Sequence, residues 1–260
     1  MTQDNIYAHF HPDEHRFVDQ AAEWVARAEQ HEVKRTDFLD PRQAFILTSL
    51  VNRSADVQVR FEGGHPNAER KRAIVAPDYR VLDDEEMGIR LIEVSSTDDS
   101  LGDLDHGDYM GAILGLGIKR DKVGDIYVLP TGCHFLAAAE IADYIVLHLN
   151  QVHRVHVHTG TLPLDKLQAT ETKLDEMNLT VASLRLDGIV SDVYRLSRAK
   201  VLVPIKAGRC KVNWKQEEDP SKPLKQGDVV SLKGFGRFKV LEVEGLTKKG
   251  RYRIRIGKYA

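Results

Sequence analysis

The order in which apolar spacing changes between Ile89 and His158 constrains the fold of this chain more than any other feature of its sequence. Ile89–Val94 reads as a short, mostly apolar strand, and apolar residues recur at helical spacing from Asp105 to Leu116. Asp125–Leu129 and His134–Ala138, on either side of a turn, read as strands, helical spacing returns over Glu140–Asn150, and Val152–His158 reads as a last strand. Short apolar runs of strand length suit a buried sheet and a period of about 3.6 suits a helix, so the order predicts β-α-β-β-α-β.

That order is shared with the ferredoxin-like split unit, which RNA-recognition motifs also use, and it indicates a fold class without a function. The aromatic ribonucleoprotein motifs of the middle strands are missing, so base stacking there has no support and a scaffold role is at least as well supported. Upstream, Phe17, Ala21, Trp24, Val25 and Ala28 fall on one helical face, Pro41 to Val51 reads as a second helix behind Asp40, and Val57–Phe61 alternates before Gly63-Gly64. The stretch after Thr159 is polar, a connector with room for a short helix. The predicted class is α+β: a small N-terminal α/β domain (1–82), a ferredoxin-like middle domain (83–160), a connector (161–180) and a C-terminal domain (181–260).

Composition bounds the rest. With 42% hydrophobic and 29% charged residues in 260, the chain reads as a soluble globular protein. No apolar run approaches the roughly 20 residues that span a bilayer, and Met1–Phe10 lacks a signal peptide's basic start, so a cytoplasmic location without a membrane partner is expected. Cys133 and Cys210 belong to no C-x-x-C pair and are expected as reduced thiols. The net charge of −2 hides an asymmetry: residues 182–260 carry 19 basic against 8 acidic side chains, a balance of +11, and residues 1–181 carry −13. A polyanion is drawn to the first and repelled by the second.

Within the basic end, Leu186, Ile189, Val190, Val193 and Tyr194 define a short helix with one apolar face. Ser197 caps a second, where Arg198 and Lys200 flank amides suited to a phosphate. Pro204 is expected to bend or shorten that helix, and Gly208 ends it. Arg209, Lys211, Asn213 and Lys215 then fall on one side of a single predicted strand, opposite Cys210, Val212 and Trp214. Arg237–Val240 and Arg251–Ile256 alternate basic with apolar residues about the Gly245–Gly250 turn, as a hairpin with one cationic face.

The pattern Arg185-Leu186-Asp187, Ser197-Arg198, Gly208, Val212-Asn213 and Gly227-Asp228 resembles the S4-type domain. By that resemblance the two helices and the following loop bind structured RNA. The candidate contacts are Arg185, Ser197, Arg198, Lys200, Lys206, Arg209, Lys211, Asn213 and Lys215, extended by Arg237, Arg251, Arg253 and Arg255. Lys119, Arg120 and Lys122 form a second candidate set. RNA is preferred to DNA because nothing resembles a major-groove reading helix.

A closer resemblance spans nearly the whole chain. Leu104 to Arg120, continuing to Gly124-Asp125-Ile126, is similar to the signature of the YlmH family of bacterial S4-domain proteins. His11-Pro12-Asp13-Glu14, Asp37 to Pro41, Asn213-Trp214-Lys215 and Gly234-Phe235-Gly236-Arg237 extend the match, while Gly107 stands where many relatives are expected to carry Arg. The family implies a factor, with genes often beside cell-division genes, that binds ribosomal RNA and tRNA on the large ribosomal subunit in rescue of stalled translation. The acidic part is then left to position or contact a protein partner.

Other chemistries find less support. Gly111, Gly115 and Gly117 lie in or at the end of a helix, where close packing and a C-cap are expected rather than a nucleotide loop. His156 and His158 share a strand face but lack an acidic or cysteine partner, so no metal is expected. Arg185-Leu186-Asp187 imitates the motif around a pseudouridine synthase's catalytic aspartate, without that motif's flanking Gly and Thr. The reading is a non-enzymatic factor needing no cofactor, with an RNA-modifying enzyme or a cell-division adaptor as alternatives.

Overall fold

Helices begin where the sequence supplies acceptors for their first amides. In the computed structural model, which describes residues 7, 9–96, 104–170, 174–247 and 249–259, a short 3₁₀ turn over Pro12–Glu14 leads into α1 (His15–Glu29). Val18, Ala21, Trp24, Val25 and Ala28 make its buried face. At α2 (Pro41–Val51), the Asp40 carboxylate accepts from the Gln43 amide at 2.8 Å and the Gln43 side chain accepts from the Asp40 amide at 2.9 Å. This reciprocal cap, with proline at the first helical position, marks the same boundary that the sequence predicts. Strands β1 (Lys34–Arg35), β2 (Val57–Glu62) and β3 (Arg72–Pro77) form an antiparallel sheet with β3 central. Every β3 residue is buried, because Ala73 and Val75 pack on the helices while Ile74 and Ala76 pack against Leu91, Leu136 and Ala138.

The middle of the chain folds as β4 (Ile89–Ser95), α3 (His106–Gly115), β5 (Val123–Leu129), β6 (Gly132–Ala138), α4 (Ala139–His148), a small hairpin β7 (Gln151–Val152) and β8 (Val155–His156), then β9 (His158–Leu162). Strands pair antiparallel in the order β5-β6-β4-β9. The single strand expected over Val152–His158 is therefore replaced by a hairpin and a separate strand. The reason is burial: Val152 and Val155 are both buried, and in an uninterrupted strand residues an odd number apart face opposite sides. His153, at φ 52°, makes the turn that brings both inward, and His156 and His158 fall on different strands.

On one face this sheet carries α3 and α4, around Ile92, Phe135, Tyr109, Ile113 and Ile145. Burying Phe135 contributes roughly 1.5–3 kcal/mol. At the tight β5–β6 turn Gly132 has φ 141°, and a Cβ there would lie 2.0 Å from the Val94 carbonyl oxygen, so only glycine fits. Gly117, at φ 82°, caps α3 as expected, but Gly111 and Gly115 face open space rather than a packed helix.

The chain divides into two units, residues 1–171 and 172–260. The second is a six-stranded sheet built from β10 (Leu174–Val181), β11 (Cys210–Val212), β12 (Lys215–Gln216), β13 (Val229–Leu232), β14 (Gly236–Leu246) and β15 (Tyr252–Tyr259). Its order is β10-β15-β14-β13-β11-β12, with every pair antiparallel. Helices α5 (Leu186–Tyr194) and α6 (Arg198–Lys206) share its core with Phe238, Val240, Ile254 and Ile256. Part of the expected connector is thus a strand, β10, paired with β15 through all eight residues. Met177, Leu179 and Val181 hold it there, packed on that core at a spacing of two; a 3₁₀ turn occupies Leu164–Lys166. Helix α6 runs two residues past Pro204, which forgoes the amide bond to Lys200 without ending the helix.

Candidate nucleic-acid interface

In the second unit, the entry of α5 is built on Asp187, 5% exposed. Arg185 grips its carboxylate with two bonds, Nε to Oδ1 at 3.0 Å and Nη2 to Oδ2 at 2.9 Å, and the Gly188 amide adds a third at 2.8 Å. The Arg185 bonds, outweighing burial, hold the carboxyl below the usual aspartate range, with Arg198 adding attraction. Arg185 is thus committed to this pair. Asp187, the residue on which the RNA-modifying alternative rests, stabilises a helix N-terminus.

Ser197 caps α6 by accepting from the Lys200 amide at 3.3 Å. Val201 and Ile205 turn into the core, which leaves Lys200, Val203 and Lys206 on the outward face at steps of three. Val203 is 69% exposed between the two lysines. Gly208, at φ 68°, then reverses the chain, and a Cβ there would lie 2.3 Å from the Gln216 side-chain nitrogen Nε2.

Residues 209–215 do not form the single strand that their alternation predicts. The chain folds back between β11 and β12, with Val212 opposite Lys215 and both Asn213 and Trp214 at positive φ, 50° and 64°. Two left-handed residues in a two-residue loop match the twist of flanking strands. Asn213 holds the turn by donating to Asp228 at 2.8 Å and accepting from the Val229 amide at 2.9 Å. The four polar residues therefore do not share one strand face. Arg209, Lys211, Asn213 and Lys215 are nonetheless all exposed, as are Ser197, Arg198, Lys200 and Lys206. Among the described residues no ion pair engages Lys200, Lys206, Arg209, Lys211 or Lys215.

The β14–β15 hairpin forms, but its face is of mixed sign rather than cationic. Arg255 pairs with Glu242 at 2.8 Å and Glu176 at 3.2 Å, and Arg253 lies 3.8 Å from Glu244. Arg251 donates to the Thr180 carbonyl at 2.7 Å. A register shift after Val240 causes the first pairing, since it sets Glu242 rather than Leu241 opposite Arg255. Arg237 lies over two rings, its guanidinium carbon 4.2 Å from the Tyr259 ring centre and 6.0 Å from that of Trp214. Sequence reasoning placed Arg237 in the interface but gave these two rings no role there; long-range pairing brings them together.

In the first unit, the face of the middle sheet opposite its helices is closed. Phe38, Ile74 and Ala76 pack on Leu91, Leu136 and Ala138. Nearer β5, Leu167 packs against the same cluster, the Gln168 amide donates to His134 Nδ1 at 3.1 Å and Thr170 to the Val128 carbonyl at 3.3 Å. Of the second candidate set only Lys119 is exposed. Arg120 donates to the Val123 and Gly124 carbonyls, and burial, with Arg70 nearby, lowers its pKa to about 10. Lys122 bridges Asp37 at 2.6 Å and Glu140 at 3.0 Å.

These contacts belong to a junction that ties residues of the first 80 to the middle sheet. Arg72, 3% exposed, donates to the Thr36 carbonyl at 2.8 Å, the Gly88 carbonyl at 2.6 Å and Glu140 at 3.1 Å. Asp125 accepts from the Glu69 and Arg70 amides at 2.6 and 3.1 Å. Burial works to raise the pKa of Glu140, but its own helix amide, Lys122 and Arg72 together bring it down from 4.5 to about 2. A carboxyl more acidic in the folded state stabilises it above the ordinary pKa, and that contribution is lost as pH falls through the folded value. Glu140→Gln is therefore expected to be less stable than the parent at pH 6, with the difference in melting temperature closing between pH 4.5 and about 2; a gap independent of pH would remove Glu140 from this role.

Two family models match the chain, "YlmH, N-terminal" over residues 13–80 and "Putative RNA-binding domain in YlmH" over residues 83–166. The chain is 39% identical over 251 residues to the Bacillus subtilis (strain 168) protein named ribosome-associated protein quality control protein P2, a match covering 96% of this chain and 97% of the relative. A solved structure named cell division protein ylmH from Streptococcus pneumoniae covers 61% of this chain and 97% of its own, with a TM-score of 0.54 at 22% identity, a likeness of fold. The sequence match, running through both units, shows that this chain belongs to the YlmH family.

Proposed function

We propose that this protein is a non-catalytic RNA-binding factor that docks its C-terminal unit on ribosomal RNA of the large subunit, in quality control of stalled ribosomes, with tRNA or peptidyl-tRNA as a second contact. The unpaired cations of α6 and the β11–β12 hairpin carry the reading. Lys200, Lys206, Arg209, Lys211 and Lys215 project into solvent from a unit of net positive charge, the arrangement that neutralises phosphates and releases their counterions. The two-helix and hairpin arrangement around Asp187, Gly208 and Asn213 supports an S4-type domain, and the order β5-β6-β4-β9 supports a ferredoxin-like middle domain. The ribosomal setting leans on the relative's name.

The middle domain plays a different part in this reading. Residues 83–166 hold 6 basic against 15 acidic side chains, and their sheet face is closed by Phe38 and Ile74. RNA contact there does not run across the sheet as in an RNA-recognition motif, and Lys119 is its best-placed cation. The experiment is a salt titration of binding to isolated large ribosomal subunits. Each phosphate contact contributes a slope of about −0.7 to −0.9 in log K against log salt, so about five contacts give a slope near −4. Affinity unchanged between about 50 and 200 mM salt would refute the docking surface.

A further inference from the structure

Trp214 stands out in the second unit as a bulky aromatic in the left-handed region, at φ 64°. Such a residue is strained there, and two-residue hairpin turns of this kind ordinarily take glycine at the second position. Closing the hairpin alone does not call for tryptophan. Asn213 locks the turn from both sides through Asp228 and Val229, so the indole is displayed from a rigid mount. The ring is only partly buried and is not a member of the hydrophobic core between sheet and helices. The Arg237 guanidinium lies over both the Tyr259 ring, 4.2 Å from its centre, and the Trp214 ring, 6.0 Å from its centre, so one cation joins the two aromatics. Exposed Lys211 and Lys215 flank it in sequence.

We infer that Trp214, backed by Arg237 and Tyr259, is a stacking site for a single unpaired nucleobase of the RNA. This deepens the proposed function and rests on it. A flat neutral base extends the stack, and the adjoining lysines meet the phosphates on either side of it. A cationic ligand does not fit, because Arg237 already supplies the positive member of the stack and the unit's charge of +10 repels another. Base stacking and phosphate pairing also leave different signatures: the first is indifferent to salt, while the second sets the salt slope.

The test uses the full chain carrying Trp24→Phe, which leaves Trp214 as the only tryptophan of the two. Two RNAs are titrated at one salt concentration: a hairpin with a loop of unpaired nucleotides, and the same stem as a continuous duplex. The loop RNA is expected to quench Trp214 emission, and the duplex to bind without quenching. Trp214→Ala is expected to weaken the loop RNA by about 5- to 150-fold, the range for one stacked base, with Trp214→Phe retaining most of the affinity. Neither variant changes the salt slope, whereas a collapsed hairpin would lower it by removing Lys211 and Lys215 from the surface. Loop RNA bound without quenching, or full affinity in Trp214→Ala, overturns the stacking site and leaves the phosphate surface standing. Failure of both RNAs to bind overturns the RNA reading of this unit and the stacking site with it.

Discussion

Reversing two charges on the second unit, Arg198→Glu with Lys211→Glu, will weaken binding to isolated large ribosomal subunits by roughly 100-fold or more near physiological salt. Each substitution removes a candidate phosphate contact and sets a carboxylate against the same phosphate. The slope of log K against log salt will become shallower by about 1.4 to 1.8 for the pair. The comparison that gives this meaning is Arg253→Gln with Arg255→Gln. Those guanidiniums already face Glu244, Glu242 and Glu176, so their charge is answered within the protein and their loss should change affinity only a few-fold. Equal losses from the two pairs would mean that net charge, not the α6 and β11–β12 surface, governs binding; no loss from the first would move the interface elsewhere.

Arg72→Met will lower the stability of the first unit by about 3 kcal/mol, at the lower end for a buried ion pair that loses one member. Arg72 is buried, and its removal takes the guanidinium donor from the Thr36 carbonyl and one of two donors from the Gly88 carbonyl, which keeps the Ala139 amide. The loss is moderated because Glu140 is partly solvated and retains Lys122. For a unit of this size the melting temperature should fall by roughly 6–12 °C. Arg72→Lys restores the charge but cannot bond all three acceptors in the same geometry, so it should recover only part of the difference. A variant melting within about 2 °C of the parent would mean that packing of Phe38, Ile74 and Leu136 carries the junction without the polar network.

Much of the local structure is legible in the chain itself. Helix α2 was predictable because Asp40, Pro41 and Gln43 satisfy its first amides from within one turn, and α5 because its apolar face closes on itself every three to four residues. The breaks at His153-Arg154 and Asn213-Trp214 were not, since neither turn contains glycine and, at Asn213-Trp214, the flanking residues keep alternating across the break. Signals existed all the same: Val152 and Val155 have the wrong parity for one strand, and Asn213 tolerates the left-handed region. Strand β10 also had a signal, in Met177, Leu179 and Val181, but its outward residues are polar and an edge strand has a partner on one side only.

For the candidate interface, the sequence by itself determined where the charge lies. A balance of +11 in the last 79 residues is independent of conformation, and so is the helical spacing that turns Lys200 and Lys206 away from Val201 and Ile205. Only the tertiary structure decided which of those charges remain available. Arg185, Lys122, Arg253 and Arg255 are charged on paper and answered in space, by Asp187, by Asp37 and Glu140, and by glutamates of neighbouring strands. The physical reason is that an ion pair depends on distance. Apart from the local Arg185–Asp187 pair, that distance is set by the packing of separate elements around Lys122 and by strand register and bulges around Arg253 and Arg255, which no local periodicity encodes.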